Sequence, residues 1–147
     1  MPRIRLINQC FPRDSQTDTN LIQYFTWIGR PEIDKQRYSD LFFCNCNLGY
    51  RKDTYSGNMT RNILTNDSLE IKRLIDIIKP DNIISLGLDT SVVVIRTLID
   101  EHFNGSTLTE LIGDGKPYRY GDTNVYPMAH PGYWGTMNRG IENVKKD

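Results

Sequence analysis

No stretch of this chain approaches the ~20 consecutive apolar residues that a membrane-spanning helix needs. Net charge is missing too, since 18 basic and 18 acidic side chains cancel. The first absence argues against a membrane partner. The second removes the global basic field of a typical nucleic-acid binder, so contact with DNA would rely on a local patch and be modest and salt-sensitive. Cysteine is scarce: Cys10, Cys44 and Cys46 are the only three, without the separated pairs of a zinc site. Cys44 and Cys46 flank Asn45 in an apolar run, and residues two apart on a strand face the same side. Core thiols are expected there, and neither metal nor cofactor. The start, Met1-Pro-Arg-Ile-Arg, lacks the apolar core of a signal peptide, so cytoplasmic residence is the expectation. No repeat, low-complexity tract or linker divides the chain, and residues 1–147 read as one domain.

What is present is an alternation of strand-like and helix-like segments. Arg3 to Ile7 is a short β-prone run followed by polar loop. Asp18, Thr19 or Asn20 can cap a helix carrying Leu21, Ile22, Phe25 and Ile28, closed by Gly29 with Pro31 beyond. Leu41 to Cys46 reads as a buried strand, and Asn47 to about Asn66 as a long polar loop of the kind that is usually functional. Asn66, Asp67 or Ser68 caps a helix with Leu69, Ile71, Leu74, Ile75 and Ile78 on its apolar face, ended by Pro80. Asn82 to Leu86 is a central strand, and Gly87 turns into a helix from about Thr90 to Glu101. Leu108 to Ile112 is a short amphipathic piece. Tyr118 to Tyr120 and Val125 to Met128 form a hairpin about Gly121-Asp122, and Met137 to Lys145 a final helix. This order predicts a three-layer α/β/α domain with a four-stranded, mainly parallel central sheet, whose strands end at Ile7, Cys46, Leu86 and Ala129.

The most informative segment runs from Asn124 to Gly135, NVYPMAHPGYWG. Pro131 cannot donate a ladder hydrogen bond, so the strand stops at or just after His130. Gly132 permits a sharp turn, leaving Tyr133 and Trp134 on a loop at the strand's carboxyl end, where open α/β sheets bind ligands. A plain turn after a core strand, with His130 bonded to backbone, is the competing reading.

These residues, taken in order, resemble the uracil-DNA glycosylase superfamily. The resemblance rests on Phe42-Phe-Cys-Asn45, on the passage from Leu69 through Ile78-Lys-Pro-Asp-Asn-Ile-Ile-Ser-Leu-Gly87, and on Val125-Tyr-Pro-Met-Ala-His-Pro131. It covers about Leu41 to Gly140, two-thirds of the chain. It implies a base taken out of the stack and read in a closed pocket, with cleavage of its N-glycosidic bond. Asn45, with Asn47 as the alternative two residues on, corresponds to the family's base-reading Asn, whose amide pairs with a pyrimidine edge. His130 corresponds to the donor that meets charge developing on the pyrimidine O2. Pro131, Tyr133 and Trp134 correspond to the loop that wedges into the duplex. Gly87 falls in the same DNA-contacting set.

The first family motif is degenerate here. Asn8 aligns with the residue that positions the attacking water, and Phe11 with the ring that stacks on the base, but the usual Pro and Gly after that Asn are missing. An amide can hold a water yet cannot accept its proton. The three cysteines do not match the four-cysteine iron–sulfur branch, so no cluster is expected. Arg51, Lys52, Arg61, Lys116, Arg119 and Arg139, with Ser56-Gly57-Asn58, are candidates for a phosphate-binding rim.

Three readings stay open. The first is a monomeric DNA glycosylase acting in DNA repair on uracil or a modified pyrimidine. The second is a catalytically weak or inactive relative that binds a nucleobase, nucleotide or protein. The third is a small-molecule enzyme using Asn45 and His130 on another substrate.

Overall fold

Four consecutive aliphatic residues, Val92-Val93-Val94-Ile95, are all buried in helix α4 (Leu88–Leu98). A helix apolar on every side belongs in the interior, and neighbouring elements pack around this one. Val92 and Ile95 meet Leu111 with Leu88, Phe103 and Tyr118 beside them. Val94 and Leu98 meet Val125, with Ile75, Ile83 and Cys46 alongside. Each such side chain contributes ~1.5–3 kcal/mol by leaving water.

The computed structural model describes residues 15–31, 41–48 and 60–147. Helix α1 (Gln16–Trp27) is followed by α2 (Arg61–Thr65), α3 (Ser68–Ile78), strand β1 (Asn82–Leu86) and α4. Then come α5 (Leu108–Ile112), β2 (Tyr118–Tyr120), β3 (Thr123–Met128), α6 (Tyr133–Arg139) and α7 (Ile141–Lys146). The protein is thus mixed α/β. Its described sheet has three strands in the order β1-β3-β2. β1 pairs parallel to β3, with Ile83 opposite Val125 and Leu86 opposite Met128. β2 pairs antiparallel, closing the hairpin. Burial alternates along β3, where Thr123, Val125 and Pro127 are buried and Asn124, Tyr126 and Met128 half-buried, the signature of a strand with one well-packed face.

Several expectations are corrected. Leu41 to Cys46 is not a buried strand. It runs irregularly, with Phe42, Phe43, Cys44 and Asn45 exposed and Cys46 half-buried. Of the four strands expected, Arg3 to Ile7 lies outside the described residues. α1 is capped by Ser15, whose hydroxyl accepts from the Asp18 amide at 3.1 Å, and not by residues 18–20. The long loop is interrupted by α2, capped by Thr60. Tyr133 and Trp134 open α6 instead of lying on a loop, because Gly132, extended at φ −63° and ψ 162°, serves as its N-cap. Gly140, at φ 78°, divides the expected final helix into α6 and α7. Among the described residues no helix is long and apolar enough to cross a membrane.

Candidate functional site

The parallel pairing of β1 with β3 brings two turns to one end of the sheet. The Gly87 amide donates to the Met128 carbonyl at 2.8 Å, extending the ladder by one step. Gly87 itself adopts φ 95°, a conformation that costs a side-chain-bearing residue dearly. Ser91 pins this turn: its hydroxyl lies 2.7 Å from the Gly87 carbonyl and 3.1 Å from that of Ser85, and the Ser85 hydroxyl donates back at 2.9 Å. A Cβ on Gly87 would stand 3.6 Å from that of His130, so the two predicted residues are neighbours.

His130 sits in a cradle of glycines. A Cβ at Gly132 would lie 2.9 Å from Nδ1, and one at Gly135 would collide with the His130 carbonyl oxygen. The Gly132 amide donates to Nδ1 at 2.9 Å, so this nitrogen is an acceptor and the neutral ring carries its proton on Nε2. Desolvation holds the imidazole below its ordinary pKa, which favours that neutral form. No described residue accepts from Nε2. The ring therefore presents a free N–H donor.

His130 also borders a cavity of roughly 450 Å³ between the Gly87–Leu88 turn, residues 106–109, and Asn138 and Arg139 of α6. The segment leading into the wall at 106–109 is tied down at residues 103–105 by two arginines. Arg61 pairs with Asp89 at 2.7 Å and reaches the Asn104 side chain and the Gly105 carbonyl, while Arg96 donates to the Phe103 carbonyl and to Asn104.

Two residues of α1 to which the sequence assigned no part in the site, Asn20 and Tyr24, fix the His130-Pro131-Gly132 turn. The buried Asn20 donates to the Pro131 carbonyl at 2.7 Å and to the Thr136 hydroxyl at 3.1 Å. Tyr24, one turn on, shares a hydrogen bond with Thr136 at 3.0 Å. The available signal was a polar residue and a tyrosine at i and i+4 on the apolar side of α1, beside Leu21 and Phe25.

No protein-family model matches the chain, and neither a curated protein nor a solved structure does.

The remaining candidates divide. Asn45 is exposed. Asn47 donates to the Asp67 carboxylate at 3.2 Å, which also accepts the Leu48 amide. Neither borders the cavity. Asn8, Phe11, Arg51 and Ser56 lie outside the described residues. Pro131 is buried, unlike a wedge. Tyr133 is 55% and Trp134 74% exposed, their rings edge to face 5.2 Å apart. The described cations expected at a rim have internal partners: Arg61 with Asp89, Lys116 with Asp114, Arg119 with Asn124 and Arg139 with Asp147, while Lys52, like Arg51, lies outside the described residues. Burial pushes the Cys46 thiol up to about 11, which makes it a poor nucleophile, and raises that of Cys44. Among the described residues no cluster of His, Cys, Asp and Glu could hold a metal ion.

Proposed function

We propose that this chain is a uracil-DNA glycosylase-like protein that hydrolyses the N-glycosidic bond of a flipped pyrimidine base in DNA. The observation that carries the reading is the neutral His130 in the wall of the cavity, its Nδ1 occupied by the Gly132 amide and its Nε2–H without an acceptor among the described residues. In such a reaction the bond from the sugar C1′ to the base nitrogen breaks, and its electron pair moves into the base toward O2. Water adds to C1′ and its proton ends on the departing base. A fixed N–H donor at O2 meets charge that is largest in the transition state, so it lowers the barrier more than it tightens ground-state binding. In this reading Asn8 positions the water, and Trp134 with Tyr133 occupies the space the base leaves. The protein works as a cytoplasmic monomer, holding DNA through local contacts.

A binding-module reading is favoured by one observation. Neither Asn45 nor Asn47 borders the cavity, and the carboxylates bound to its lining, Asp147 and Glu110, are held by Arg139 and the Ser106 amide, so base reading and water activation have no counterpart among the described residues there. Oligonucleotides carrying single uracil, other deaminated or modified pyrimidines, scored for cleavage at abasic sites, separate the two. The enzyme reading expects cleavage of at least one substrate and a loss of ~10²–10³ in rate for His130→Ala. No cleavage of any substrate by the wild type would reject the glycosylase reading.

A further inference from the structure

The cavity beside His130 has a cationic side chain whose recognition surface is already filled from within the chain. Arg139 donates from Nε to one Asp147 oxygen at 2.8 Å and from Nη2 to the other at 2.7 Å. Its third edge, Nη1, donates to the Thr109 hydroxyl at 2.9 Å. The pair is well shielded, at 18% and 5% side-chain exposure. Two parallel N–H···O bonds are the geometry by which guanidinium groups hold carboxylates and phosphates alike.

We infer that Arg139 and the hydroxyls of Thr107 and Thr109 form a phosphate subsite of this cavity, and that the Asp147 carboxylate occupies it in place of the ligand. The inference deepens the proposed function and rests on its placement of a nucleotide beside His130. The hydroxyls favour phosphate over a carboxylate ligand. Thr109 accepts from Arg139, and Thr107 accepts from the Glu110 amide at 3.1 Å. Each therefore retains its own O–H as a donor, and a tetrahedral phosphate offers more acceptor oxygens than a planar carboxylate. Charge points the same way. With His130 neutral and Arg139 neutralised by Asp147, displacement of that one carboxylate leaves the cavity wall one unit more positive. Glu110, the nearest acid on α5, is turned to the Ser106 amide at 3.0 Å.

An internal competitor lowers apparent affinity by the fraction of time the site is free. If Asp147 holds the fork nine-tenths of the time, removing it strengthens binding about tenfold. The test titrates inorganic phosphate, a pyrimidine nucleoside 5′-monophosphate, an oligonucleotide with internal diesters only, and acetate into wild type, Asp147→Ala and Arg139→Gln/Asp147→Ala. Binding is followed by the Arg139 Nε–H resonance, and in the double variant by calorimetry. The expected result is phosphate binding about tenfold tighter in Asp147→Ala than in wild type, lost in the double variant, with acetate ineffective.

Preference for the monophosphate identifies a free nucleotide as the phosphate source, and preference for the oligonucleotide identifies a strand. Equal phosphate affinity in wild type and Asp147→Ala, or an equal response to acetate, overturns the subsite. Should Asp147→Ala fail to fold, wild type decides alone: saturating phosphate must shift Arg139 Nε–H, and an unmoved resonance rejects the inference. His130→Ala keeps the outcomes apart, because it slows base excision by ~10²–10³ while Arg139, Thr107 and Thr109 all remain in place. Excision by a protein that ignores phosphate sinks the subsite alone.

Discussion

Gly135→Ala is the substitution that most directly probes how His130 is held. Gly135 lies inside α6, where alanine is normally worth about 1 kcal/mol more than glycine. Propensity alone therefore predicts a stabilised protein. The structure predicts the opposite, because the new methyl would stand 3.0 Å from both the carbonyl carbon and Cβ of His130 and closer still to its carbonyl oxygen. Backbone cannot yield as a flexible side chain can, so α6 must shift, straining the Asn20 and Tyr24 contacts to the turn. Overpacking of this kind costs ~1–3 kcal/mol, which exceeds the propensity gain at the middle of that range. The expected net loss is about 1 kcal/mol, or ~2–4 °C in Tm for a domain of this size. Met137→Ala, on the same helix at 61% exposure, serves as the control and should change stability by less than ~0.5 kcal/mol. Urea denaturation followed by circular dichroism, with the His130 imidazole resonances recorded on each variant, reads both effects. A Gly135→Ala protein more stable than wild type, with unshifted His130 resonances, would refute the close packing of α6 on this histidine.

Asn20→Ala should destabilise by ~1–3 kcal/mol, since it removes the 2.7 Å donor to the buried Pro131 carbonyl and leaves it only the 3.5 Å contact of the Thr136 hydroxyl; denaturant midpoints decide this, and a wild-type midpoint would mean the turn holds itself. Cys46, half-buried against the Val94 cluster and with its thiol pushed up to about 11, should alkylate near pH 8 much more slowly in the native protein than in urea, and equal rates would contradict its packing. The His130 pKa is depressed below 6.5 by desolvation, so below that value the unfolded chain binds more protons at this site. Its contribution to stability is complete above pH 6.5 and is lost as pH falls through the folded value. Stability measured between neutral and acid pH should fall less steeply in His130→Gln than in wild type, and identical slopes would remove the assigned cause.

Much of the helical framework was legible because its signals are local. α3 begins beside Asp67 and ends before Pro80, and the β2–β3 hairpin turns at Gly121-Asp122. Each was readable from a cap, a breaker or an alternation. The neighbourhood of Gly87 and His130 was legible as well, because parallel strands that both end in turns place those turns at one edge. Leu41 to Cys46 misled for a physical reason. An apolar run matches a buried strand in composition, yet here only Cys46 reaches the cluster around Val94 and Leu98, while Phe43 meets Phe25 edge to face on α1. Tyr133 and Trp134 were read as loop because glycines flank them. Gly132 in fact caps the helix and Gly135 admits His130, so neither breaks it. Asn20 resembled a helix cap from its type alone, and its bond to Pro131, 111 positions away, is a tertiary fact that no local pattern carries.

The central claim is that a neutral His130 offers its Nε2–H to a pyrimidine carbonyl. It is tested most directly by nitrogen-15 NMR of the histidine ring during titration with uracil or deoxyuridine at neutral pH. The account predicts an Nε2–H tautomer before addition, with Nδ1 unprotonated, and a downfield move of the Nε2 proton as ligand binds. An Nδ1–H tautomer, or an Nε2 proton unmoved by saturating ligand, would contradict it.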